Sequence, residues 1–337
     1  MSALPALLVV STGCPAGIGP EVSVSAAAKL KGATTLLLGD EETLRAAAEV
    51  CGIAQRRLVR WDGRSRDATK IHLAQVGDVL SRRDRAPGKP NARAGVAQLE
   101  YVEAGFTLVK SSLRAALVTA PVSKAAIAHS GLSRARRFLG HTEWLQELDG
   151  AKSSVMCFWS ERLSTSLVTT HLPLGKVPRA ISAAGVASAT VELGRLLLRL
   201  GTKRPHLAVA SLNPHAGESE LLGGEEARAI VPGIAQAARA LGKAVRLSGP
   251  VGAETAYRKA SAGGFDGVVA MYHDQATIPM KLLAFGDAVN VTAGLSIVRT
   301  SVDHGTAYDI AWRNQADAGG MLAALQLGAR LVNGKRA

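Results

Sequence analysis

Residues Ser164–Glu218 read STSLVTTHLPLGKVPRAISAAGVASATVELGRLLLRLGTKRPHLAVASLNPHAGE. A β-branched, apolar run at Ser166–Thr169 is followed by a polar turn. Next comes an Ala/Leu-rich stretch, Ala184–Leu200, with apolar residues at helical spacing, and then a second apolar run, Leu207–Ser211. Strand, helix, strand in that order is the unit from which α/β layers are built. The same alternation extends outward in both directions. Strands are predicted at Leu7–Val10, Thr35–Leu38, Ala115–Thr119, Val155–Trp159, Gly267–Met271 and Ala288–Val291. Helices are predicted near Glu21–Leu30, Glu41–Val50, Ala92–Ser111, Glu225–Leu241 and Asp317–Val332. The expected fold is therefore α/β, with helices flanking a largely parallel or mixed sheet. No internal repeat or low-complexity tract interrupts it, and RRDRAPGKPN at Arg82–Asn91 reads as an exposed connection.

Composition narrows the function classes. A chain of 337 residues has length for about two domains. With 47% hydrophobic and 20% charged residues it is a folding chain, not a disordered one. No apolar run approaches the roughly 18 residues of a spanning helix, so no membrane partner is expected. The opening MSALPALLVV lacks the basic segment of a signal peptide and reads as a first strand. Cys14, Cys51 and Cys157 are too few and too scattered for a disulfide framework or a thiolate zinc site, which points to a reducing cytoplasm. Forty Lys and Arg against 27 Asp and Glu leave a net charge of +13, a balance that suits nucleic acid. Yet the basic residues form only short pairs (Arg56-Arg57, Arg82-Arg83, Arg136-Arg137), and aromatics at 4% offer few stacking platforms. The expectation is a basic surface that attracts small anions, with no nucleic-acid partner.

Polar, chemistry-bearing segments concentrate near strand ends, where α/β folds bind ligands. They are GHTEWL (Gly140–Leu145), TTHLPL (Thr169–Leu174), NPHAGE (Asn213–Glu218), YHDQ (Tyr272–Gln275) and RTSVDHGTAYD (Arg299–Asp309). His171, His215 and His273 each follow an apolar strand, at gaps of 215 − 171 = 44 and 273 − 215 = 58. Those gaps exclude a local finger and fit three imidazoles converging on one catalytic metal with positions left open. Three unconnected polar residues at loop starts remain the alternative at this point. Lys281, Asn290 and Arg299 follow His273 at steps of 8, 9 and 9 and supply donors for phosphate or carboxylate. His304-Gly305-Thr306-Ala307 offers backbone donors for a nucleotide. The early TGCPAGIGPE (Thr12–Glu21) lacks both the GxGxxG fingerprint and the P-loop pattern, and no GxSxG elbow occurs.

Taken together, PAGIGPE (Pro15–Glu21), APVSKAAI, GHTEWL, TTHLPLGKV, SLNPHAGE, AMYHDQ and RTSVDHGTA closely resemble the 4-hydroxythreonine-4-phosphate dehydrogenase family of vitamin B6 synthesis, in the family's order and over nearly the whole chain. The resemblance implies an isocitrate/isopropylmalate-dehydrogenase-like fold, two α/β domains with the active site in the cleft between them. An outer, cofactor-side domain would comprise 1–130 plus 286–337, and a central domain, 131–285, would carry the metal ligands and the interface of a homodimer that completes each site. His171, His215 and His273 would be the metal ligands, one of them reaching across the dimer. Substrate contacts would be His141, Thr142, Lys281, Asn290 and Arg299, and His304–Ala307 would line the dinucleotide site.

The implied reaction is oxidation of a CH–OH group by NAD or NADP, with one divalent ion per site (zinc, cobalt or magnesium). 4-Phosphooxy-L-threonine becomes 2-amino-3-oxo-4-phosphooxybutanoate, which loses carbon dioxide to give 3-amino-2-oxopropyl phosphate. Asp274, Lys281 and Glu254 are the expected catalytic groups, Asp274 as an orienter of its neighbouring ligand or as a proton acceptor. The chain departs from the family pattern at Cys14, where Asp is usual, at Glu254, where PADT becomes Gly252-Ala253-Glu254-Thr255, and at Ser219–Leu222. These departures bear on substrate identity, with erythronate or threonate phosphates and aromatic dihydrodiols as alternatives.

Overall fold

The computed structural model describes residues Pro5–Gly334. In chain order the elements are β1 (Leu7–Ser11), α1 (Gly19–Lys29), β2 (Thr34–Gly39), α2 (Glu41–Val50), β3 (Leu58–Arg60), β4 (Ile71–Gln75), α3 (Ala92–Ser111), β5 (Ala115–Thr119), α4 (Lys124–Ala128) and α5 (His141–Asp149). They continue with β6 (Val155–Trp159), β7 (Ser164–Leu167), α6 (Val177–Ala180), α7 (Ala183–Arg199), β8 (His206–Ala210), α8 (Val231–Leu241), β9 (Arg246–Val251), α9 (Ala253–Ser261), β10 (Gly267–Ala270), α10 (His273–Ala284), β11 (Val289–Ala293), β12 (Val298–Ser301) and α11 (Gly319–Asn333). The α/β class expected from the alternation is the observed one.

The chain forms two compact units. Unit 1 holds the segments up to Lys152 and Leu295–Asn333, and unit 2 holds Ser153–Gly294 with Gly334. The expected borders at 130/131 and 285/286 are thus corrected, for packing reasons. Trp144 and Leu145 of α5 are buried in the unit 1 core with Leu99, Val102 and Phe106 of α3, which carries the GHTEWL segment into that unit. At the second border β11 pairs antiparallel with β6, from Val289 opposite Trp159 to Ala293 opposite Val155, and this keeps Val289–Ala293 in unit 2.

Unit 1 is a parallel sheet in the order β3-β4-β2-β1-β5-β12. Every residue of β1, β2 and β5 is buried, as expected of strands covered on both faces by helices. In unit 2 the order is β11-β6-β7-β10-β8-β9, antiparallel across β11-β6-β7 and parallel from β7 to β9. Its core is built largely of small side chains, among them Ala208, Ala210, Ala256, Ala260, Val268 and Ala270. The predicted strand at Ser166–Thr169 begins two residues earlier, at Ser164, which pairs with Trp159 across the β6–β7 hairpin. Elements unmarked in the sequence share a reason: β3 has three residues, β9 contains Gly249-Pro250, β12 places Arg299 in its middle and α10 has Pro279 inside it. No single helix among the described residues is long and apolar enough to cross a membrane.

Candidate active site

Parallel neighbours end on the same edge of a sheet, so the segments leaving their carboxyl ends are brought together. In unit 2, β7 and β10 are adjacent, and His171 and His273 follow them. Their rings lie 5.6 Å apart between centroids, tilted by 42°. His273 opens α10, and its Nδ1 meets Asp274 Oδ1 at 2.7 Å. An ionised Asp274 keeps the proton on Nδ1 and leaves Nε2 with its lone pair, the state in which imidazole binds a metal. Both side chains are solvent-accessible, at 39% and 69% exposure.

His215 does not join them: among the described residues no group of three or more His, Cys, Asp or Glu is placed to hold a metal ion. The expected three-imidazole set is therefore not formed within one copy of the chain. The reason is local. His215 lies five residues beyond the end of β8, in a turn where His215, Ala216, Gly217, Glu218, Ser219 and Glu220 all have positive φ, from +43° to +82°. Only Gly217 adopts this region freely, and each of the others costs roughly 1 kcal/mol there. The base of the turn is clamped by buried Glu226, whose carboxylate accepts the Leu212 and Asn213 N–H groups at 2.9 and 2.8 Å, and by Glu225, which accepts from Asn213 Nδ2. The Ser219–Leu222 departure thus lies in a strained, exposed loop.

Lys281 lies two turns along α10 from His273, exposed, and Asn290 is half-buried in β11 opposite Phe158. Glu254 sits in the first turn of α9, exposed, with its carboxylate bound to Thr255 and to Arg258 at 3.0 Å. Those two hydrogen bonds hold its carboxyl below the ordinary range.

In unit 1 the adjacent strands β1, β5 and β12 send out Thr12–Glu21, Ala120–Lys124 and Val302–Ala307. Arg299, in β12, is only 3% exposed and donates to Thr119 Oγ1 at 2.6 Å, and Thr119 and Ser301 bond each other at 2.9 Å. Burial pulls the Arg299 guanidinium down to about 9, against the pull of Glu143. His141 opens α5 with Phe138 against its ring, and its Nε2 is buried with no hydrogen-bond partner among the described residues. Burial first, then the charges of Arg299 and Lys124, hold its pKa well below the usual histidine value, so it is neutral near pH 7. Thr142 follows it, half-buried.

The HGTA segment is welded to PAGIGPE. Ile18 N–H donates to Thr306 O at 3.0 Å, and a side chain at Gly17 would meet that same oxygen at 2.8 Å. Buried Glu21 accepts the backbone N–H groups of Trp312 and Asn314, both left-handed, at 2.5 and 2.9 Å, and Trp312 Nε1 donates to Pro15 O at 3.0 Å. Cys14 is buried with Sγ 3.4 Å from Tyr308 Oη, and burial pushes its thiol up. The same burial, with Cys14 beside it, pushes the Tyr308 phenol up to about 12. His304 and Gly305 are exposed, while Thr306 and Ala307 are half-buried. PAGIGPE therefore acts as the mould for HGTA, a role its sequence did not announce. Sequence reasoning also did not single out Thr119, Lys124, Glu143 and Ser301, although the quoted motifs APVSKAAI, GHTEWL and RTSVDHGTA contain the last three.

The family model for pyridoxal phosphate biosynthetic protein PdxA matches residues 31–328. The 4-hydroxythreonine-4-phosphate dehydrogenase of Geobacter metallireducens is 38% identical over 333 residues, covering 97% of this chain and 96% of that one. D-threonate 4-phosphate dehydrogenase of Salmonella typhimurium is 36% identical over 330 residues, covering 96% and 98%. A crystal structure of the Klebsiella pneumoniae 4-hydroxythreonine-4-phosphate dehydrogenase superimposes with a TM-score of 0.84 at 34% identity, covering 98% of this chain and 99% of that one. The chain belongs to the PdxA family of pyridoxal phosphate biosynthetic proteins and is a dehydrogenase.

Proposed function

We propose that this protein oxidises the secondary hydroxyl of 4-phosphooxy-L-threonine with NAD or NADP, in a divalent-metal-dependent reaction whose 3-oxo acid product loses carbon dioxide to give 3-amino-2-oxopropyl phosphate. One observation carries the reading: two imidazoles 5.6 Å apart, the second steadied by a carboxylate, in a chain 38% identical to a dehydrogenase of that name. The pair fits a metal such as zinc or cobalt better than magnesium, the third candidate, which prefers oxygen ligands, and its donor set is completed by His215 from a second copy. A cation held there would acidify the substrate hydroxyl and polarise the carbonyl that replaces it. Asp274 keeps His273 in the ligating tautomer. In the oxidation, the C–H bond of the carbinol breaks with its electron pair going to the oxidised nicotinamide, and the hydroxyl proton leaves to solvent. Lys281, Asn290 and Arg299 hold the anionic groups of the substrate, and neutral His141 presents a ring nitrogen to it without adding charge. His304–Ala307 binds the dinucleotide.

The surface of unit 2 supports a homodimer. Ile278 and Leu282, one turn apart on α10, and Phe285, which caps its carboxyl end, are 59%, 80% and 83% exposed. Leu172, Leu174, Leu221 and Leu222, in the segments that carry His171 and His215, are exposed as well. Large apolar side chains so grouped mark a protein interface, and a second copy is the occupant that also supplies the missing imidazole.

The test is reduced-nicotinamide formation by purified protein with 4-phosphooxy-L-threonine. Turnover that a chelator abolishes and zinc, cobalt or magnesium restores is expected. Turnover indifferent to chelator, or absent with every metal, overturns the reading. The second reading is a phosphorylated hydroxy acid such as D-threonate 4-phosphate, favoured by the Salmonella relative, and a higher kcat/KM on that compound would select it.

A further inference from the structure

Lys124 belongs to no group of residues discussed so far as acting on substrate. It stands five residues beyond the end of β5, at the first position of α4. Its backbone is fixed to an unusual degree for a helix of five residues. Ser123 N–H donates to buried Gln98 Oε1 at 2.7 Å, and Ser123 Oγ accepts from Ala126 N at 3.1 Å. Ile127, one turn on, is fully buried, and Gly95 of α3 lies directly against the Ala126 carbonyl.

The side chain runs outward from that anchor to Gly140, the residue before His141. A side chain at 140 would meet Lys124 Cε and Nζ at 3.6 Å and Glu143 Oε2 at 2.9 Å, so glycine there leaves the room that the lysine and the glutamate use. The ammonium is exposed and is in no ion pair among the described residues. Next to Gly140 is His141, whose Nε2 is buried with no hydrogen-bond partner among the described residues and which feels the charges of both Lys124 and buried Arg299. Lys124 and Arg299 both bring positive charge to bear on a histidine that stays neutral. An exposed ammonium in no ion pair among the described residues, next to a buried imidazole nitrogen without a partner, is an arrangement that can receive an anionic oxygen.

We infer that Lys124 is a further substrate-binding residue, which contacts an anionic oxygen of the substrate alongside His141 and Arg299. The inference rests on the reading that this edge of unit 1 holds a phosphorylated substrate. As a point charge on a flexible stem, Lys124 closes on the anion from the solvent side, while Arg299 is pre-set from the interior.

Lys124→Met and Lys124→Arg separate a binding role from a structural one. In Lys124→Met the KM for the phosphorylated substrate is expected to rise at least ten-fold, with the KM for dinucleotide and the unfolding midpoint unchanged, and Lys124→Arg should recover most of the loss. A substrate KM within two-fold of the wild type overturns the inference. Inorganic phosphate, titrated against the His141 ring resonances, provides an arm independent of turnover. Phosphate should bind the wild type at least ten-fold more tightly than Lys124→Met, and equal affinity, or no response in the wild type, also overturns it. If no phosphorylated hydroxy acid is turned over by any form while the phosphate difference persists, the proposed reaction fails and the role of Lys124 stands.

Discussion

The two ligand-facing edges are built in opposite ways. In unit 1 the polar groups are interior and already constrained: Arg299 is tied to Thr119, the Nε2 of His141 is buried, and HGTA is bolted to PAGIGPE through Ile18, Glu21 and Trp312. In unit 2 they are exposed: His171 and His273 face each other with a solvent-accessible Asp274, Lys281 is free of burial, and His215 sits in a left-handed turn. The first edge is pre-organised by one chain, and the second supplies two of the three imidazoles of the proposed ligand set and an apolar helix face. Pre-organisation suits recognition of a substrate and nucleotide that must be aligned. An incomplete, accessible cluster suits groups that arrive from outside the chain.

That contrast predicts different failures. The largest effect belongs to unit 2. His273→Ala should lower kcat by about a thousand-fold, the size of several kcal/mol of lost charge stabilisation, yet leave the unfolding midpoint near that of the wild type because the ring is exposed. A variant that unfolds readily instead would mean the histidine pair is structural, and the contrast would break. In unit 1 the order reverses. Glu21→Ala leaves the Trp312 and Asn314 N–H groups without their acceptor and should cost about 2–4 kcal/mol in denaturant unfolding. It should also raise the KM for dinucleotide more than that for substrate. Unchanged stability would show that the PAGIGPE contact does not hold HGTA in place.

The smallest effect is on pH dependence. His141 and His206 have pKa values lowered in the folded chain, both chiefly by burial. Below about pH 6.5 the unfolded chain takes up protons at these positions that the folded chain refuses, so stability falls as pH drops, above the range where carboxylates titrate. Denaturant midpoints measured between about pH 7 and pH 5 should decline, and His141→Gln should flatten the decline. A midpoint that rises in acid would place His141 in solvent and weaken the account of a buried edge.

Much of the frame was legible because burial on both faces leaves a readable signature. LLVVS, TTLLLG and AALVT are continuous apolar or β-branched runs, and the helices Glu41–Val50 and Ala92–Ser111 were bounded correctly, each preceded by a capping residue, Asp40 or Asn91. β12 was hidden because charged Arg299 interrupts a strand of only four residues, and α10 because Pro279 breaks the helical pattern. The histidine motifs were readable as chemistry, but their convergence was not.

Sequence by itself determined the α/β class, the family and the residue types available at each strand end, since all three follow from local pattern and linear motif. Only the tertiary structure decided that His171 meets His273 without His215, that Glu21 clamps the segment after HGTA, and that Arg299 and Lys124 both act on His141. Those pairings join residues as far as 102, 291 and 158 positions apart (273 − 171, 312 − 21, 299 − 141). Strand order sets such distances, and strand order is a property of packing, which no local run of side chains encodes.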